Sequence, residues 1–73
     1  MASFPSTIPA NDQEIADFIR WWLGNVSDTV ITDEDMITFI DKNITEYGDD
    51  KLCKITYYST VDILGWLIRS QAT

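Results

Sequence analysis

The stretch from Asp50 to Ser70 has too much apolar surface for one helix partner to cover, and this constrains the rest of the chain. At the helical period, Leu52, Ile55, Thr56, Ser59, Ile63, Trp66 and Leu67 fall on one broad face. A second apolar row runs through Tyr57, Val61, Leu64 and Ile68, spaced i, i+4, i+7 and i+11. Between the two lies only a narrow strip of Tyr58, Asp62, Gly65 and Arg69. A helix that is apolar nearly all round is ordinarily buried on both sides. The local competitor is a strand over Lys54 to Ser59, because Thr56, Ser59, Thr60 and Tyr57-Tyr58 dilute helix propensity. The length of the periodic segment favours helix.

Little else is available to cover such a helix. The chain has 73 residues, enough for one domain. A domain of this size buries only roughly 60% of its unfolded surface and often needs disulfides, metals or oligomerisation. Cys53 is the single cysteine and there is no histidine, so an internal disulfide is impossible and a zinc site lacks its usual ligands. Helix packing and oligomerisation remain.

Two further helices can be read from their caps. Asn11 can cap a helix start, and Glu14 three residues on can close a capping box. Ile15, Phe18, Ile19, Trp22 and Leu23 then follow an unbroken apolar stripe, with Trp21 at its edge, and Gly24 supplies a left-handed stop. Thr32 caps the next helix, and Asp33, Glu34 and Asp35 fill its first turn, where the helix dipole favours negative charge. Ile31 and Met36 make a hydrophobic staple across that cap. The stripe continues through Ile37, Phe39, Ile40, Ile44 and Tyr47 to a stop at Gly48. Asn43 lies within it and is expected to hydrogen-bond across the core or to another subunit, since an unpartnered buried amide costs about 1–3 kcal/mol. Asp49 or Asp50 is expected to cap the last helix, Cys53 to be a small core residue, and Val30 and Ile31 to tuck under the helices.

The expected fold is therefore all-α: a small three-helix bundle over residues 11–73, with helices near 11–23, 32–47 and 50–70. An extended N-terminal arm over residues 1–10 precedes it, because Pro5 and Pro9 deny that segment a helix. Phe18, Trp22, Phe39, Ile40, Ile63 and Trp66 are expected at the centre. The exposed candidates for an interface are Phe4 and Ile8 on the arm, Trp21, and the row of Tyr57, Val61, Leu64 and Ile68.

The residues that chemistry would need are missing. Without histidine there is no serine–histidine or cysteine–histidine nucleophile system. Asp33, Glu34 and Asp35 lack the glycine and later glutamate of a calcium loop, and no glycine-rich phosphate loop is present. The expectation is a non-enzyme with no cofactor and no metal. A formal charge of −7 disfavours direct binding to nucleic-acid backbones. The first ten residues do not read as a signal peptide, and no apolar run approaches the ~18 residues of a membrane span.

From Phe18 to Arg69 the motifs run in a definite order. Leu23-Gly24-Asn25 ends a short amphipathic helix, Ile31-Thr32-Asp33-Glu34-Asp35-Met36 opens the next, Tyr47-Gly48 closes it, and a long helix follows. This order resembles the helical core of small tailed-phage head–tail connector proteins, the adaptor or head-completion proteins. The resemblance implies a structural virion protein assembled in the host cytoplasm, with many copies forming a ring between portal and tail. The implied partners are copies of itself and other virion proteins such as portal and tail components, with no membrane and no sequence-specific nucleic-acid binding. The alternative is a small acidic effector that inhibits a host nucleic-acid enzyme by mimicking nucleic acid, motivated by twelve acids on so small a body.

Overall fold

A computed structural model describes residues 3–71, with Gln71 described by its backbone only; Met1 and Ala2 of the expected arm lie outside the described residues. The fold is all-α, with α1 over Asp12–Trp22, α2 over Asp33–Tyr47 and α3 over Leu52–Gln71, and no strand among the described residues. Helix α2 packs against both of the others, while α1 and α3 touch each other least. The body is flat, measuring 37 × 27 × 17 Å. A helix with its side chains is about 10–12 Å across, so each helix in so thin a body keeps one side open.

The ends of the helices follow their sequence signals closely. Asn11 accepts from the Glu14 amide at 3.0 Å, and Thr32 Oγ1 accepts from the Asp35 amide at 3.2 Å. Ile31 and Met36 are both buried across that second cap, as a staple requires. Helix α2 stops at Gly48, whose φ of +103° and ψ of 148° suit a residue without a Cβ. The start of α3 differs from expectation. Lys51 precedes its first residue, and Asp50 pairs instead with the Lys51 ammonium at 3.6 Å. The Lys51 amide donates to the Gly48 carbonyl, and this turn delays the helix to Leu52.

The core is built from isoleucine. Ile15 and Ile19 of α1, Ile31 of the connection, Met36 and Ile40 of α2, and Ile55 and Ile63 of α3 form one buried cluster with Ala16. Ile44, Phe39, Trp66 and Leu67 pack against it while partly exposed. Of the residues expected at the centre, Phe18, Ile40 and Ile63 are buried, Phe39 and Trp66 are half-buried, and Trp22 is 52% exposed. Trp22 is the last residue of α1, and its ring meets that of Phe18 one turn back at 5.6 Å. Cys53 is exposed rather than buried, because the second residue of α3 precedes the part of the helix that α2 covers. Ile31 is buried as expected, whereas Val30 faces outward.

The α2–α3 seam is polar in its middle. Asn43 is buried, and its Nδ2 lies 3.0 Å from Ser59 Oγ, 3.1 Å from Asp62 Oδ2 and 3.1 Å from the Phe39 carbonyl. The expectation that Asn43 bonds across the core therefore holds. Asp62 Oδ2 also meets the Lys42 ammonium at 3.3 Å. Thr60 Oγ1 donates to the Thr56 carbonyl at 2.7 Å, and buried Thr56 Oγ1 has no hydrogen-bond partner among the described residues.

Two substitutions probe this interior by urea unfolding. Ile40→Ala deletes a fully buried side chain and should cost about 2–5 kcal/mol, enough to threaten a domain of this size. Thr56→Val removes an unpartnered hydroxyl at nearly constant volume and should stabilise by about 1 kcal/mol or more. A lowered midpoint for Thr56→Val would show that the hydroxyl has a partner.

Candidate functional site

The surface is more telling than the interior. Tyr57, Val61, Leu64 and Ile68 are 58%, 48%, 41% and 68% exposed, so the whole second row of α3 faces outward. This follows from the helical period: Ile55, Thr56, Ser59, Thr60 and Ile63 turn one side of α3 onto α2, and the row lies around the opposite flank. Tyr58, also exposed, borders it and stacks on Tyr47 of α2 at a centroid distance of 4.9 Å. Tyr57 meets Tyr58 edge-on at 5.2 Å, which links the row to that stack. Lys54 places its ammonium 6.0 Å from the Tyr47 ring centre.

A second apolar group gathers on α1. Phe4 packs edge-on against Phe18 at 5.2 Å, and Phe18 meets Trp21 at 5.9 Å and Trp22 at 5.6 Å. Phe4 and Ile8 remain exposed, whereas Pro5 between them is buried. Trp21 is half-buried. The sequence-derived candidates thus separate into two groups: Phe4, Ile8 and Trp21 about α1, and Tyr57, Val61, Leu64 and Ile68 on α3. No ring contact connects the groups among the described residues. Trp22 belongs to the α1 group and was missed, because its place on the stripe argued for burial.

No group of three or more metal-ligating side chains converges among the described residues. Asp33, besides sitting in the first turn of α2, accepts from Arg20 Nη2 at 2.6 Å, while Arg20 Nη1 donates to the Val26 carbonyl at 3.1 Å. Arg20 therefore ties α1 to both the following connection and the start of α2. Nor is any described helix long and apolar enough to cross a membrane.

A surface of grouped apolar side chains suits protein contact. A family model described as "Bacteriophage PhiTE adapter protein" matches residues 10–73. The chain belongs to this family of phage adapter proteins. No curated protein and no solved structure was found to match it. As a phage adaptor it is a structural protein of the virion that contacts other virion proteins. The match covers all three helices, whereas Phe4 and Ile8 precede it.

In this adaptor the Glu14 carboxylate is a polar anchor of the segment before α1. Glu14 Oε1 accepts from the Ser6 and Thr7 amides, both at 3.2 Å, and Oε2 accepts from Thr7 Oγ1 at 3.0 Å. The capping box expected of Glu14 is thus replaced: the carboxylate turns outward to gather the segment. The Ala10 amide adds a second tether, donating to the Asp49 carbonyl at 2.8 Å. The Thr7 amide holds the Glu14 carboxyl below the ordinary carboxylate range. Some loss of hydration opposes it, and the Thr7 hydroxyl and Ser6 amide assist. Asp41 is shifted upward, first by lost hydration and then by the charge of Asp12 and a hydrogen bond with it.

The two shifts give opposite pH dependence. Glu14 contributes stability above the ordinary carboxylate range and loses it as pH falls through its lowered folded value. Asp41 costs stability when charged, and acid relieves that cost as pH falls through its raised value. Acid should therefore loosen the segment before α1 without a matching loss in the helices. In NMR titrations the Ser6 and Thr7 amide shifts should move together below the ordinary carboxylate range, and Glu14→Gln should abolish that movement. Persistence of the transition in Glu14→Gln would show that another group holds the segment.

Proposed function

We propose that this adaptor is a non-enzymatic head–tail connector subunit, with many copies assembling into a ring between portal and tail. In this reading the outer row of α3 is a contact surface, joined by the exposed residues about α1. The observation that carries it is the exposure of Tyr57, Val61, Leu64 and Ile68 together, on a helix whose other side packs against α2. Large exposed apolar patches on monomers usually mark interfaces. Support also comes from the aromatic residues: only Phe18 is buried, while Phe4, Trp22, Tyr57 and Tyr58 are exposed. Aromatic side chains are enriched where proteins meet. The order of motifs from Leu23-Gly24-Asn25 to the long last helix agrees with the same reading.

The test uses Val61→Glu with Leu64→Glu, two exposed positions on α3. The double variant should keep its helical circular dichroism spectrum and its melting temperature to within a few degrees. In sedimentation velocity, wild type should co-sediment with the phage's portal or tail components and the variant should not. Equal binding by wild type and variant would remove the α3 row from the assembly. Unfolding of the variant would place the row in the protein's own stability instead.

A further inference from the structure

The segment before α1 lies on the helical body as a bound peptide would. Residues 3–9 contain no helix, and they precede the family-matched region, which begins at residue 10. Glu14 and Phe18, which hold them, lie within that region. Three features of the seat are selective. The ring of Phe4 meets Phe18 edge-on at 5.2 Å. Pro5 is fully buried between exposed Phe4 and exposed Ser6. Both oxygens of Glu14 are then engaged by the two residues that follow, Oε1 by the Ser6 and Thr7 amides and Oε2 by the Thr7 hydroxyl. The order that fits is thus an aromatic residue, proline, any residue, then threonine or serine. Proline has no N–H to satisfy and a φ fixed near about −65°, so it is buried without an orphaned donor. Extended segments ordered in advance by proline are a recurring class of peptide ligand for that reason. The seat is also open to exchange. All three hydrogen bonds to Glu14 lie at the surface, and Phe4 is 47% exposed. Segments with few buried contacts open at far lower cost than packed helices do.

We propose that this seat is a peptide-binding site that the free chain fills with its own Phe4-Pro5-Ser6-Thr7. Its ligand is an extended segment of a different virion protein, with an aromatic residue, proline, any residue, then threonine or serine, which displaces the resident one. The site is separate from the α3 row and does not need that row to be an interface. A second copy is the poorer occupant. Its segment offers only the contacts already made, and the resident segment is tethered seven and eight residues from Glu14. So short a tether gives an effective concentration on the order of millimolar, which an identical free segment does not exceed. A foreign segment displaces the resident one by adding contacts that Phe4-Pro5-Ser6-Thr7 lacks. Displacement frees the Ser6 and Thr7 amides from Glu14 in the same event, so the chain itself reports occupancy of the seat.

The probe is a synthetic peptide with the sequence from Ser3 to Ala10, blocked at both ends, added to the full chain. In NMR spectra of the unaltered chain, a large excess of peptide should move the Ser6 and Thr7 amide signals towards free-chain positions. A scrambled peptide should leave them in place. A second measurement uses fluorescence polarisation with the labelled peptide. Thr7→Ala, a change at an exposed position, weakens the resident segment and keeps Glu14 and Phe18. It should bind the peptide about tenfold more tightly than wild type, as loss of a hydrogen bond to a carboxylate implies. Adding Glu14→Gln should reverse that gain, and so should replacing the threonine of the peptide with alanine. Unmoved Ser6 and Thr7 signals, an equal response to the scrambled peptide, or equal affinity in Thr7→Ala and wild type would each overturn the site. Wild-type dimers that excess peptide dissolves would give the seat to a second copy and overturn the assignment to a different protein.

Discussion

The seam between α2 and α3 decides how the rest of the molecule is distributed. Where a small bundle would ordinarily place large aliphatic residues, α3 presents Thr56, Ser59 and Thr60, all buried. Short side chains let two helix backbones approach closely, and a close approach leaves no volume for bulkier groups. The seam is then held by polar contacts, with Asn43 reaching Ser59 and Asp62 across it. A buried amide with well-placed partners fixes register, because sliding the helices by one turn would orphan it. Isoleucine closes the seam at either end, through Ile55 and Ile63. Tyr57, Val61, Leu64 and Ile68 lie outside that seam, on the exposed flank of α3.

The surface follows from this division of α3 into two sides. The inner side of α3 buries Ile55, Thr56, Ser59, Thr60 and Ile63 and half-buries Trp66 and Leu67, while Tyr57, Val61, Leu64 and Ile68 face outward. Their exposure persists in a chain whose compactness is ordinary: a radius of gyration of 11.6 Å is near the roughly 11 Å that chain length alone implies. The molecule thus has a closed interior and a separate apolar exterior. A partner that covers the row adds to stability by mass action rather than completing the fold.

Much of this was legible in the sequence, and the misses have identifiable causes. Helical periodicity reports the direction of a side chain around the axis, and it placed Ile15, Ile19, Met36, Ile40 and Ile63 inward correctly. It carries no information about position along the axis relative to a neighbour. Trp22 and Cys53 both fail for that reason, since each sits at a helix end beyond the reach of the next element. Asn43 was readable as a polar residue on an apolar stripe, although its partners Ser59 and Asp62 were not. Glu14 was misread because two outlets compete for one carboxylate. The local one needs only the cap amide, whereas the tertiary one gathers two amides and a hydroxyl. Three donors outweigh one. The α3 row was legible from spacing alone, yet spacing cannot say which side another chain covers.

The electrostatics connect the fold to assembly. Of the bases, Arg20, Lys42 and Lys51 each pair with an acid of the same chain, which leaves most of the acids uncompensated on α1, α2 and the connections. Exposed pairs of this kind contribute little to folding, with a typical worth of about 0–1 kcal/mol. Their main effect is on the outer field: they remove positive charge from the α1–α2 side and leave Lys54 and Arg69 as the cationic groups of α3. A body with a net charge of −7 repels its own copies at long range. Salt at physiological strength screens that repulsion beyond about 8 Å, while apolar burial is short-ranged and survives screening.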